Sequence, residues 1–348
     1  MKIVVLAGGM SPERNVSLSS GTKICQTLRE LGHRAALVDM YLGAEPAGAD
    51  PFDAPLAGQV AQVARQEPDL EQLRASRPDG GGSLFGPGVL ELCRGADVVF
   101  LALHGTCGED GRVQAAFDLL GIPYTGSGYL GSAIALDKDL TKRLVAPLGI
   151  HTPSWETVRY GAEDIPGLLS RLDLPCVVKP VGSGSSIGVS IAHDREELER
   201  ALNLGLAQGG YCVIEQYISG REIQVGILED VALPSIEIIP KKGFYDYENK
   251  YQPGAAEEIC PAPIPPEWEA RLGQAALTVF HTLGLAVYSR ADFIVTPDGT
   301  PWFLEINTLP GMTPTSLVPQ EAQAIGVDYG ELCERIIQAS LRARKASK

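Results

Sequence analysis

The sequence predicts an α/β chain, α+β overall, whose first domain is built on an open parallel sheet. Three observations predict this. Residues 3–32 read as a strand, a glycine turn and a helix; Asp97–Leu103 is an almost wholly apolar run; and two alternating strands near the end flank Asp298-Gly299. At 348 residues the chain exceeds the size at which one core keeps growing, so two or three domains are expected.

The opening strand is Ile3–Leu6, and the helix after it carries Val16, Ile24, Leu28 and Leu31 before Gly32 stops it. Asp97–Leu103 has the character of an interior parallel strand, and Gly121–Thr125 reads as another. Between them, residues 41–90 are rich in Ala, Pro and Gly, with Asp79–Ser83 an exposed loop tip, and no chemistry is read there. A second unit holds a helix with Lys138, Leu140, Leu144 and Val145. It continues with a strand at Cys176–Lys179, a Gly/Ser loop, a strand at Ile187–Ile191 and a charged helix from Asp194 to Leu204. The third unit has a strand at Gln224–Leu228 and a polar loop from Lys241 to Ala255. Its helix carries Trp268, Leu272, Ala275, Ala276, Val279 and Leu283 at helical spacing, stopped by Gly284. The closing hairpin pairs Tyr288–Ile294 with Trp302–Asn307.

Composition narrows the function. With 45% hydrophobic and 21% charged residues the chain is an ordinary globular protein, not a disordered or disulfide-built one. A net charge of -14 repels a nucleic-acid backbone, although local lysines, backbone amides and a divalent cation can still hold a nucleotide in one cleft. The seven cysteines are scattered and include no C-x-x-C pair, which argues against zinc clusters and disulfide frameworks. No apolar run approaches a membrane span, and residues 1–7 are too short for a signal-peptide core, so a cytoplasmic location is expected by elimination.

The hairpin carries the chemistry. Alternation places Arg290 and Asp292 on one face of the first strand, and Phe303, Glu305 and Asn307 on one face of the second. With Asp298 and Gly299 as the two turn residues, Asp292 faces Glu305 and Arg290 faces Asn307. Two like charges opposite one another need something positive between them. An oxygen-only set of two carboxylates and an amide selects magnesium or manganese over zinc, and magnesium keeps substrate phosphates as further ligands. The competing reading is a solvated polar face in which Arg290 neutralises a carboxylate. The apolar flanks and the face-to-face register favour the metal, and a one-residue bulge would alter that register.

Lys179-Pro180-Val181-Gly182-Ser183-Gly184-Ser185-Ser186-Ile187-Gly188 lies between strand-like runs, and its small residues let backbone amides approach an anion. It is neither a Walker A loop nor a dinucleotide fingerprint. Alone it reads as a flexible hairpin; beside the acidic hairpin, the phosphate reading is favoured. His104, in His104-Gly105-Thr106-Cys107-Gly108-Glu109-Asp110-Gly111, follows a buried strand at the end where open sheets bind ligands, and is either a site residue or a structural histidine. Glu13, in Gly8-Gly9-Met10-Ser11-Pro12-Glu13-Arg14, either serves a site or favours a helix N-terminus.

Together with Tyr124–Gly128, Tyr245–Tyr251, and Glu305–Thr308 through Leu317–Pro319, these motifs resemble the D-alanine:D-alanine ligases of the ATP-grasp superfamily. The likeness runs in order along nearly the whole chain, and is poor over residues 41–90 and at the C-terminus. It implies a three-domain ATP-grasp fold, with a substrate-binding domain at 1–126 and ATP-grasp subdomains at 127–219 and 220–348. The implied reaction phosphorylates one D-alanine carboxylate with ATP, after which the amine of a second attacks the acyl phosphate to give a dipeptide for peptidoglycan. By the same resemblance Lys138, Lys179, Ser186, Glu215 and Glu222 hold ATP, with Glu222 on the ribose. Asp292, Glu305 and Asn307 hold magnesium (or manganese), two ions per site. Glu13 orients the first ammonium and His104 the first carboxylate; Arg290 and the Gly311 amide form the oxyanion site. Lys250, Ser316 and Leu317 hold the second substrate, Ser185 and Tyr251 link a mobile loop to Glu13, and the enzyme is a homodimer.

The roles suit the chemistry. Phosphoryl transfer needs positioning and charge neutralisation, amide formation builds an oxyanion, and a lid at Lys241–Ala255 would keep water from an acyl phosphate. Three rival readings remain: a ligase using D-lactate or D-serine as second substrate, a nucleotide-binding regulator on the same scaffold, and a nicotinamide dehydrogenase. Lys250-Tyr251 favours D-alanine, the intact Lys179, Arg290, Asp292, Glu305 and Asn307 speak against the regulator, and the glycine turn lacks the dinucleotide fingerprint.

Overall fold

The computed structural model describes residues 1–44, 50–53, 68–77, 79–182, 184, 188–241 and 255–346, whose strands form three sheets. In the first, β1 (Lys2–Ala7) lies between β2 (Arg34–Asp39) and β3 (Val98–Leu101), all parallel. Continuous apolar runs suit β1 and β3 because both faces are covered. The helix Arg14–Glu30 lays Val16, Ile24 and Leu28 on this sheet, while Leu31 falls past its end and is exposed. The strand expected at Gly121–Thr125 shrinks to one bridge, Tyr124 with Val99. Pro123 has no N–H for a ladder, and Gly126 turns the chain away with φ 86°. The C-terminal helix Tyr329–Ala346 inserts Leu332, Cys333, Ile336 and Ile337 into the same core, beside Tyr288 and Leu309.

The second sheet is antiparallel, with β4 (Trp155–Arg159), β5 (Cys176–Pro180), β6 (Ser190–Ala192) and β7 (Tyr211–Gln216) in the order β4-β7-β5-β6. Of the strand expected at Ile187–Ile191, Ile187 lies outside the described residues, and among the described ones the pairing with β5 covers Ser190–Ala192. The helix Arg195–Ala207 covers this sheet with Leu198, Ala201 and Leu202, and Asp194 caps it by accepting the Glu197 N–H at 2.8 Å.

The third sheet contains β8 (Arg221–Leu228), β9 (Val231–Ala232), β10 (Ile236–Pro240), β11 (Ala256–Ile259), β12 (Tyr288–Val295) and β13 (Pro301–Asn307). Its order is β11-β10-β8-β12-β13, with β9 beside β8. The helix Pro266–Thr282 buries Leu272, Ala276, Val279 and Phe280 against it and ends before Gly284, whose φ of 62° only glycine adopts freely. Phe293 and Phe303 meet edge-on at 5.7 Å across β12 and β13, a contact worth about 0.5–1.5 kcal/mol beyond its area.

The hairpin turn differs from the sequence reading. Near the turn the partners are Val295 with Pro301, so Pro297, Asp298 and Gly299 all lie in the loop. Pro297 suits the second position of such a turn, Gly299 takes φ 77°, and Asp298 binds both Thr296 and Thr300. A register shift between Asp292 and Phe293, where Leu304 is the extra residue, then restores the expected pairing of Asp292 with Glu305 and Arg290 with Asn307.

Candidate active site

Asp292 is buried, and Arg290, two residues before it on the same face, grips it with two hydrogen bonds of 2.8 and 2.9 Å. Asn307 donates to Asp292 at 3.4 Å. Across the pair, Glu305 lies 3.2 Å from the ammonium of Lys138. Each acid therefore has a cationic side chain beside it, Arg290 at Asp292 and Lys138 at Glu305. Among the described residues no three His, Cys, Asp or Glu side chains cluster as a metal site, and the candidate set is two carboxylates and one amide. That donor set fits magnesium or manganese provided that phosphate oxygens and water complete the coordination. Asp292 Oδ1 takes only the Arg290 Nε contact, whereas its Oδ2 accepts from both Arg290 and Asn307 and would have to exchange one of these for a cation.

The second group of charges lies on the neighbouring sheet. The helix Lys138–Val145 is inverted: Lys138 and Lys142 are buried, at 5% and 1% exposure, while Leu140 and Leu144 are about 40% exposed. Lys142 reaches Glu215 of β7 at 2.8 Å, and Lys179 of β5 makes a second, very close ion pair with the same carboxylate. Burial alone would raise the Glu215 carboxyl, but the two ammonium groups outweigh it and hold the acid ionised, below its usual range. Burial likewise brings Lys142 down to about 8, with Glu215 opposing and Lys179 and Lys138 adding to the shift. Lys179, Glu215, Glu222, Asp292 and Glu305 share a cavity of about 350 Å3 between the second and third sheets, whose other walls are largely apolar. Val177, Ile191 and Ile294 are among the apolar residues lining it.

The N-terminal loops meet the end of β13. Glu13 is buried at the start of its helix, and a Cβ on Gly105 or Gly184 would sit 2.5 or 2.8 Å from its Oε2. Both loops can approach it only because those residues are glycine. Gly184 thereby lies against Glu13, whereas Ser185 and Tyr251, the residues expected to make the link, lie outside the described residues. His104 is buried, with Nδ1 2.9 Å from the carbonyl of Leu309, so Nδ1 is the donor; among the described residues Nε2 has no hydrogen-bond partner. Burial makes the imidazole a weaker base, with Glu109 opposing and Arg290 adding to the effect. Glu109 draws the two segments together: Oε1 accepts the N–H groups of Thr308 and Leu309, each at 3.1 Å, and Oε2 accepts that of Gly105 at 3.0 Å. Burial raises its carboxyl, and the nearby Glu13 adds to this.

Gly311 and Ser316 also lie together, since a Cβ on Gly311 would be 3.0 Å from the Ser316 hydroxyl oxygen. That hydroxyl accepts the Thr313 N–H at 3.1 Å, closing a tight loop before the helix Leu317–Ala324. Leu317 is buried against Ile236 and Ile238. Ser185, Ser186, Lys250 and Tyr251, with nearly all of the lid expected at Lys241–Ala255, lie outside the described residues. The sequence reading passed over Lys142, Thr152 and Glu321, and it quoted Glu109 without a role. The spacing of Lys138 and Lys142, one helical turn apart, was the available signal, but Leu140 and Leu144 show the same spacing and look more like a core face.

Comparison with known proteins identifies the family. Residues 2–127 match the family model for the D-ala D-ala ligase N-terminus, and residues 144–338 match that for the D-ala D-ala ligase C-terminus. The chain is 41% identical over 355 residues to the D-alanine–D-alanine ligase of Lacticaseibacillus casei, covering 98% of this chain and 96% of that one. It is 41% identical over 342 residues to the enzyme of Syntrophotalea carbinolica, covering 98% and 97%. The crystal structure of a D-alanine–D-alanine ligase from Bacillus anthracis complexed with ATP superposes with a TM-score of 0.75 at 30% identity, with full coverage of both chains. A second crystal structure of a D-alanine–D-alanine ligase from Bacillus anthracis gives 0.76 at 33%, also with full coverage. The chain belongs to the D-alanine–D-alanine ligase family.

Proposed function

We propose that this chain joins two D-alanine molecules at the expense of ATP, through an acyl phosphate, and so supplies D-alanyl-D-alanine for peptidoglycan. The observation that carries the reading is the convergence of Lys179, Glu215, Glu222, Asp292 and Glu305 on one cavity between two sheets, with Arg290 held beside Asp292. The Bacillus anthracis relative, similar over its full length, binds ATP.

In the first step a D-alanine carboxylate oxygen bonds to the γ-phosphorus, the bond from that phosphorus to the bridging oxygen breaks, and ADP leaves. Lys138 and Lys179 neutralise the phosphates, Ser186 contributes to the phosphate loop, Glu215 holds the nucleotide end of the cleft, and Glu222 takes the ribose. Asp292, Glu305 and Asn307 hold two magnesium or manganese ions, which when bound offset phosphate charge. Glu13 orients the ammonium of the first D-alanine, and His104 its carboxylate. In the second step the amine of the other D-alanine, having lost a proton, attacks the acyl carbon, and phosphate departs. Arg290 and the Gly311 N–H stabilise the oxyanion that forms between attack and departure. Lys250, Ser316 and Leu317 seat the second substrate, while Ser185 and Tyr251 tie the loops over the site to Glu13.

The domains divide as 1–126 for substrate, 127–219 for one side of the nucleotide and 220–348 for the other, and the enzyme acts as a homodimer in the cytoplasm. Family likeness supports the dimer, and ATP as substrate supports the compartment; among the described residues no helix is long and apolar enough to cross a membrane.

Phosphate release from ATP that depends on D-alanine, with the dipeptide as product, tests the reading. ATP binding without D-alanine-dependent release would replace it with a regulatory function. Competition among D-alanine, D-lactate and D-serine tests the second substrate, and mainly depsipeptide at neutral pH would overturn D-alanine.

A further inference from the structure

We propose that Lys142, which contacts no cavity-lining phosphate ligand except through Glu215, is a positioning residue that sets the nucleotide site by holding Glu215 and tying together the two sheets that enclose the cavity. The inference rests on the ATP-dependent reading above and adds a residue to it.

The Lys142 ammonium contacts two residues that line the cavity, Glu215 and Pro153, and one that ties to its far wall, Thr152. It lies 2.8 Å from Glu215 of β7 and donates to the Thr152 hydroxyl at 2.7 Å and, more weakly, to the Pro153 carbonyl at 3.4 Å. Thr152 in turn donates to the carbonyl of Phe303 in β13 at 3.0 Å, and the Phe303 N–H donates to the carbonyl of His151 at 2.8 Å. Two residues beyond Phe303 is Glu305. One ammonium therefore connects an acid on one wall of the cavity to the strand carrying an acid of the other wall, and the Trp155 ring covers it at 5.3 Å.

The charge balance gives the connection a consequence. Glu215 is shared by Lys142 and Lys179, so two cations and one anion leave a net positive charge beside the cavity. Without the Lys142 charge, Glu215 and Lys179 neutralise one another, and Lys179 is held by the acid instead of being available to a phosphate. A buried charge-assisted contact of this kind is worth roughly 10- to 100-fold in an equilibrium. Burial makes Lys142 titrate near 8; the charged groups that act on it are Glu215 from β7, Lys179 from β5 and Lys138 from its own helix. Deprotonation should thus loosen the site in the range just above neutrality.

The test measures binding of a non-hydrolysable ATP analogue with magnesium to wild type, Lys142→Met and Thr152→Val between pH 7 and 9, with D-alanine-dependent phosphate release by the wild type as a control on the underlying reading. At pH 7, Lys142→Met should bind the analogue roughly 10- to 100-fold more weakly. Wild-type affinity should fall as the pH rises through about 8, and the Met variant should lack that fall. Thr152→Val, which retains the charge and cuts only the tie to Phe303, should weaken binding several-fold and keep the pH dependence. If Lys142→Met does not fold, the wild-type pH profile and Thr152→Val decide. Analogue affinity unaffected by either substitution, or wild-type affinity flat across pH 7–9, overturns the role of Lys142. Absent phosphate release by the wild type overturns the ligase reading instead.

Discussion

Asp292 and Glu305 stand directly opposite one another across β12 and β13, although the turn joining those strands is one residue longer than Asp298-Gly299 alone implies. The extra turn residue and the extra residue at Leu304 cancel, so the acids return to the same face. The bulge sits immediately beside the site, between the Phe293–Phe303 pair that anchors the strands in the core and the polar pairs that project into the cleft.

Glu305→Gln should impair use of magnesium-ATP, because the amide removes a negative ligand and weakens the ion pair with Lys138. A lost outer-shell partner of a metal site reduces affinity or activity about 10- to 100-fold, so a lost ligand should reduce turnover by at least that much. Titrating D-alanine-dependent phosphate release against magnesium checks it. A variant with the wild-type magnesium requirement would remove Glu305 from the proposed metal set.

Arg290→Ala should act mainly on chemistry. A positioned oxyanion donor is worth about 10²–10³ in kcat, and Arg290 is held in place by its two bonds to Asp292. Steady-state kinetics should show the loss in kcat with a smaller change in the KM for ATP. Equal losses in both would mean that Arg290 serves chiefly to hold Asp292, which is the solvated-pair reading in buried form.

Much of this was legible from local pattern. Strand alternation around Asp292, the glycine stop at Gly284 and the apolar runs of β1 and β3 report their own environment, but alternation also put Phe303 on the face of Glu305, whereas the bulge at Leu304 turns Phe303 into the core against Phe293. What escaped depends on tertiary neighbours. Lys142 lies on a helix whose leucines face outward, because its lysines are satisfied by Glu215 and Glu305 across the cleft. Glu321 reads like any solvent-facing acid in a helix, and only the packing of that helix onto β8 buries it. Gly121–Thr125 looks like a strand, but it contributes a single bridge because Pro123 and Gly126 bracket it.

Glu109→Ala should destabilise the fold as well as the site. Its carboxylate is the acceptor for three buried backbone donors, on Gly105, Thr308 and Leu309, and leaving each unpaired costs about 1–3 kcal/mol. A loss of at least ~3 kcal/mol is expected, read as a lower urea midpoint at unchanged slope. The segment carrying Leu309 also orients His104, so D-alanine affinity should fall in whatever fraction stays folded. A variant with wild-type stability would show that water or the backbone replaces the carboxylate.

Glu321 sets a pH dependence of stability. It is fully buried, with Oε1 accepting the Gly226 N–H at 2.9 Å and Oε2 without a hydrogen-bond partner among the described residues. Gly226 is the β8 partner of Arg290, and a Cβ there would lie 2.4 Å from Glu321 Oε2, so the carboxyl occupies the space a side chain would fill. Burial pushes its pKa well up; the Gly226 N–H and Arg290 oppose this, and Asp292 and Glu269 add to it. In the unfolded chain the same group ionises in the ordinary carboxylate range. As pH rises through that range the unfolded chain releases its proton while the folded chain retains it, so stability falls with increasing pH. Glu321→Gln keeps the shape and the acceptor for Gly226 and has no proton to release. Its melting temperature should therefore exceed that of the wild type at pH 8, with the difference shrinking toward pH 5. Thermal unfolding at the two pH values checks the sign, and a difference that stays constant, or grows on acidification, would mean that Glu321 is ionised in the folded protein.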